Sequence, residues 1–129
     1  MLPTVLLYNF SEEKLSALKK LCLTHRLRAR VVAPSLFGVE LSQLLAVPPE
    51  NSETDVKPAF SEEMLVFAGL APGQLDAFLQ GFRKAKLPQV PLKAILTPTN
   101  STWNSIQLHN ELTLEHNAMQ AGKRAHSQS

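Results

Sequence analysis

The sequence predicts a mixed α/β (α+β) fold: two βαβ units forming one four-stranded sheet with helices packed on it. Three observations carry that expectation. Short apolar runs alternate with segments of helical periodicity. The apolar pattern also repeats after sixty residues: Val5-Leu6-Leu7 falls on Leu65-Val66-Phe67, and Leu15, Ala17 and Leu18 fall on Leu75, Ala77 and Phe78. Finally, 129 residues suit one domain that buries roughly 65–70% of its unfolded surface.

Each element has its own signal. Thr4 to Tyr8 is an apolar run suited to a buried strand. Ser11 then offers a helix N-cap, with Glu12 and Glu13 in the first turn where the helix dipole favours anions. Leu15, Leu18 and Leu21 follow at helical spacing and carry that helix to about His25. Arg30 to Ala33 reads as the second strand, limited by Pro34. Gly38 opens a short helix over Leu41, Leu44 and Leu45. Residues 48–60 form a polar, proline-flanked surface loop. Met64 to Ala68 is the third strand. Pro72 suits a first helical position, and Leu75, Phe78, Leu79 and Phe82 mark the apolar face that follows. Ala94 to Leu96 is the fourth strand, and Asn100 or Ser101 caps a last helix over 102–119. The organisation is a single α/β domain over 1–120, with the repeat at 4–34 and 64–98 and a flexible tail at 121–129.

Strand order decides the consequences. If the two units meet through an antiparallel pairing, the sheet is ferredoxin-like, and this is the arrangement expected. The alternative is a small doubly wound parallel sheet. In the parallel sheet, Tyr8-Asn9-Phe10 and Thr97 to Ser101 share one end; in the ferredoxin-like sheet they lie at opposite ends.

Composition excludes several classes. Apolar residues are 44% and charged residues 19%, which is neither a disordered acidic chain nor a polybasic arm. The one cysteine, Cys22, rules out an internal disulfide framework and an all-cysteine zinc site. No run approaches the roughly 20 apolar residues of a membrane span. Met1 to Phe10 lacks the charged start and cleavage site of a signal peptide. The expectation is a cytoplasmic protein with no membrane and no nucleic-acid partner. The densest basic stretch, His25, Arg26, Arg28 and Arg30, has no interleaved aromatics and reads as a solvated helix end and strand start.

Two strings are candidate sites. Between Pro91 and Trp103 a buried strand ends in Thr97-Pro98, and Thr99, Asn100, Ser101 and Thr102 lead into a helix. Free N–H groups at a helix start bind anions, so this turn is the candidate site for a small anionic metabolite. Lys93 would supply charge, Thr97, Thr99, Asn100 and Thr102 hydrogen bonds, and Trp103 an apolar wall. The same residues also suit an ordinary capped turn, and the string matches no P-loop or dinucleotide fingerprint. The second string is Tyr8-Asn9-Phe10. Its phenol and amide could face a cleft, and the matching Ala68-Gly69-Leu70 of the other repeat shows that the fold does not demand polar residues there.

Other features weigh less. His109 and His116, seven residues apart on one helix face, read as a solvated face rather than a metal site. No catalytic set can be named, and no metal or cofactor is expected. On the last helix, Trp103, Ile106 and Leu114 form one apolar stripe and Leu108, Leu112 and Met119 another. The second stripe is a candidate homodimer surface.

Val5 to Ser11, Glu63 to Gly69, Pro91 to Asn100, Trp103-Asn104 and Glu115 to Met119 together resemble a small bacterial family catalogued as a domain of unknown function, number 3783 in that series. Phe37 to Pro58 departs from that family's glycine- and aromatic-rich middle segment. The resemblance implies no activity, only that the Tyr-Asn-Phe and Thr-Pro-Thr-Asn strings travel together. The functional expectation is therefore a non-enzymatic, small-ligand-binding or regulatory module. A homodimerisation module using the last helix is one alternative, and an enzyme using Lys93, Tyr8 or a histidine is another.

Overall fold

A computed structural model describes residues 3–46 and 57–127, with 120–127 as helix backbone only. Most of the polar stretch expected at 48–60 therefore lies outside the described residues. Strand β1 (Thr4–Tyr8) and strand β3 (Met64–Ala68) are buried along their whole length and pair antiparallel, Thr4 opposite Ala68 and Tyr8 opposite Met64. Continuous apolar runs suit them because both faces of the sheet are covered. β2 (Arg28–Val31) joins β1 and β4 (Leu92–Ile95) joins β3, both in parallel, giving the order β2-β1-β3-β4.

The central antiparallel pair is the one on which the ferredoxin-like expectation turned, and it excludes the all-parallel sheet. In detail, each βαβ unit keeps its two strands adjacent, where a ferredoxin-like sheet splits them. β2 and β4 also begin two residues earlier than expected. β2 starts once the chain has turned back at Arg26 (φ 58°), and Arg28 N–H then reaches Pro3 O at 2.8 Å.

The sixty-residue repeat reappears in the backbone. Asn9 and Gly69, each just after a strand, are left-handed at φ 63° and 72°. Arg26 and Lys86, each just after a helix, are left-handed at φ 58° and 56°. Helix α1 (Glu12–Thr24), capped by Ser11 Oγ on Lys14 N–H, and helix α3 (Gln74–Lys84) cover one face. Val5, Leu7, Leu65 and Phe67 meet Leu18, Cys22, Phe78 and Phe82 there. Burial pushes the Cys22 thiol up to about 11, so the thiol stays protonated at neutral pH.

The opposite face carries Leu6, Tyr8, Val66 and Leu92. It is covered by Phe37, by the short helix α2 (Leu41–Leu44), by Phe60, and by the first turns of α4 (Ser105–Ser127). α4 starts later than expected. A tight turn at Asn100–Thr102 and an extended Trp103 (ψ 157°) come first. The cap is Asn104, whose Oδ1 accepts Gln107 N–H at 2.8 Å while Asn104 N–H reaches Gln107 Oε1 at 3.1 Å. The helix then continues past Met119 to Ser127, where a frayed tail from 121 was expected; 128–129 lie outside the described residues.

Candidate functional site

The antiparallel centre sends the two candidate strings to opposite ends of the sheet. Thr97 follows the end of β4, at the end of the sheet where β1 begins with Thr4. Tyr8 lies beside Met64 and Leu92, where β3 and β4 begin.

At the Thr97 end the polar groups serve the chain itself. Asn100, only 9% exposed, accepts Thr97 N–H at 2.8 Å and donates to Ile95 O at 3.1 Å. Thr97 Oγ1 accepts Asn100 N–H, and Ser101 Oγ donates to Pro98 O. Thr102 Oγ1 points to Thr99 O at 3.5 Å. Three amides at the helix start are engaged too: Ser105 N–H meets Phe37 O, Gln107 N–H meets Asn104 Oδ1, and Leu108 N–H meets Asn104 O. Lys93 does not join them. It lines a groove beside α3 with Leu79, Phe82 and Arg83, on the other face from Trp103, which packs under α4.

At the Tyr8 end, long-range contacts assemble a different group. Tyr8 is fully buried, and its hydroxyl meets Ser105 Oγ at 2.7 Å, so it pins α4 to the sheet rather than facing a ligand. Burial drives the phenol far above its usual range, against a smaller opposing effect of that hydrogen bond. Asn9, in the left-handed conformation the turn needs, donates through Nδ2 to Phe60 O at 2.9 Å and Glu62 O at 3.0 Å. It thereby fixes the segment leading into β3. Phe60 is buried and stacks on the His109 ring, with centroids 4.0 Å apart and planes 9° apart.

His109 is the main correction on this helix. Expected on a solvated face, it is 8% exposed, with Nε2 at 3.2 Å from Glu62 Oε2 and Nδ1 at 3.4 Å from Asn110 Oδ1. One signal was available: His109 stands three residues after Ile106 and three before Leu112, between the two apolar stripes of the helix. Neighbouring Glu63 pairs with Lys14 at 2.7 Å, and Lys14 lies over the Phe10 ring. The Glu62 carboxyl is held below the usual carboxylate range, first by its own backbone N–H. Desolvation opposes this, and His109 and the Ser61 N–H add to the lowering.

Between this group and α4 lies a hollow of about 350 Å³, lined by Glu62, Glu63, Pro91, Leu92, Thr113 and His116. A larger hollow of about 520 Å³ sits at the far end beside Gly69 and Gly73, but Asp76 is the one charged residue in its lining. The smaller hollow is the better candidate because it combines an apolar floor with fixed charged groups. Among the described residues no group of three or more His, Cys, Asp or Glu could hold a metal ion. No helix among them is long and apolar enough to cross a membrane.

The expected homodimer stripe is divided. Leu108 is buried, Leu112 packs on the core, and Met119 is exposed along with Leu114. Arg30, expected to be solvated, is 4% exposed. No curated protein and no solved structure matches the chain. Residues 63–119, which span β3 to the exposed part of α4 and most of the hollow but not Asn9, Phe60 or Glu62, match the family model described as Domain of unknown function (DUF3783).

Proposed function

We propose that the protein is a binding module that holds a small organic cation, of the amine class, in the hollow between α4 and the starts of β3 and β4. The observation that carries this reading is the Glu62 carboxylate. It is fixed at the rim by His109 and by the Asn9-bound backbone, above a floor of Pro91 and Leu92. Glu63 is balanced by Lys14, whereas Glu62 stands 57% exposed beside the His109 ring, so Glu62 sets the sign of the guest. A carboxylate favours an ammonium group, and Pro91 and Leu92 favour an alkyl body. This replaces the anionic metabolite suggested by the sequence. Binding suits the geometry better than catalysis. The His109 ring is 8% exposed and stacked on Phe60 with Nε2 against Glu62, so it serves to orient Glu62.

The test is a thermal-shift and calorimetric titration with butylamine and putrescine, with butanoate as the charge-reversed control. Saturable stabilisation by an amine, absent with butanoate and lost in Glu62→Gln, is expected. No stabilisation by either amine, or an equal response from Glu62→Gln, overturns the reading.

A further inference from the structure

Arg30 lies on the edge strand β2, opposite Leu6. Strand alternation sends its side chain to the face that holds Leu6 and Val32, the face covered by α2 and α4. It is 4% exposed, and its Nη1 and Nη2 are closed off from solvent without a hydrogen-bond partner among the described residues. The ion pair among those residues is Lys14–Glu63, His109 also meets Glu62, and neither contact involves Arg30. The charge felt nearby is Arg28, of the same sign and two residues back on the same strand face. Desolvation first and Arg28 second push the Arg30 guanidinium below its usual range, yet arginine stays protonated near neutral pH.

A buried charge needs a counter-charge, and a guanidinium presents two parallel N–H groups that match an oxyanion. We propose that Arg30 is the anchor of a second ligand site, which takes a small oxyanion (a phosphate or carboxylate group) bound in bidentate fashion by Nη1 and Nη2. Arg28 adds positive charge on the same side of the strand. The enclosure of both nitrogens selects a small group over a bulky one. Among the described residues no strand pairs with the outer flank of β2.

The experiment is heat unfolding and calorimetry of the full chain in chloride, in inorganic phosphate and in acetate, at matched ionic strength. The phosphate and acetate arms separate the two sources of the oxyanion. The wild-type chain is expected to show a saturable rise in Tm with one of them, roughly 10 °C at about a hundredfold excess over Kd. Arg30→Met should lose the rise while remaining at least as stable as wild type in chloride, since it removes an uncompensated charge. Arg30→Lys should bind more weakly, because an ammonium group lacks the planar fork. Glu62→Gln should keep the full anion response, which separates this site from the amine site. A wild-type chain that shows no saturable rise with either anion overturns the proposal. An undiminished rise in either Arg30 variant does so as well.

Discussion

The two ends of the sheet use similar residues for opposite purposes. The turn after β4 and the segment before β3 are both rich in polar side chains, and both adjoin α4. In the turn, Thr97, Asn100 and Ser101 find their partners three to five residues away along the chain. Such bonds form a capped turn and leave little for a guest. Before β3, the partners come from far off: Asn9 to Phe60 and Glu62, Lys14 to Glu63, and His109 to Glu62, at sequence separations of 47 to 53. Groups brought together in this way keep side-chain charge at a surface that the fold has shaped. The density of polar residues in a sequence therefore does not mark a site; what matters is whether their hydrogen-bonding capacity is consumed locally.

The largest expected effect tests the structural half of this comparison. Asn100→Ala removes an acceptor for Thr97 N–H and a donor to Ile95 O, both in a nearly buried turn. It should destabilise the protein by about 2–4 kcal/mol in urea unfolding. Amine affinity, measured below the new midpoint, should not change. A weakened amine response with little loss of stability would move the site back to the turn.

Asn9→Gly is the matching change at the other end. Glycine keeps the left-handed backbone at φ 63°, so strain is not introduced. The two bonds to Phe60 O and Glu62 O are lost, at about 1–2 kcal/mol. Here amine binding should weaken as well, because Glu62 is no longer held. Gly69, the counterpart in the second repeat, shows that the backbone alone needs no amide at this position.

Tyr8→Phe should come next, at about 1–2 kcal/mol, since it leaves the fully buried Ser105 hydroxyl without its partner. Tyr8 is itself fully buried, so the substitution should leave amine affinity unchanged. An affinity change in this variant would mean that Tyr8 reaches the ligand after all.

Much of the fold was legible in the sequence because its signals are local. Thr4–Tyr8 and Met64–Ala68 are unbroken apolar runs, Ser11 caps α1 where expected, and the spacing of Leu15 and Leu18 matches that of Leu75 and Phe78. The site was legible only in part. Asn9 could be singled out because its repeat counterpart is a glycine. Phe60 could not, since it closes a polar stretch and becomes buried only by stacking on a histidine 49 residues further on. Arg30 was hidden in a basic cluster. The alternation of Ala29, Arg30, Val31 and Val32 places it beside inward-facing Val32, but only if strand register is read residue by residue.

The smallest effect concerns Glu62 and pH. Its folded-state pKa is depressed, so its contribution to stability is present above the unfolded carboxylate value of about 4.3 and disappears as pH falls through the folded value. The side chain is 57% exposed, and solvent screening limits the contribution to about 0.3 kcal/mol. The stability difference between wild type and Glu62→Gln should therefore be small and constant above pH 5, and it should close in acid below the usual carboxylate range. Urea midpoints of the two proteins from pH 6 to pH 2.5 measure it, with the Lys14–Glu63 pair common to both. A gap that instead widens in acid would mean that the backbone N–H and the His109 imidazole do not favour the charged carboxylate. The rim of the hollow would then lack the fixed negative charge that distinguishes it from the turn at the other end.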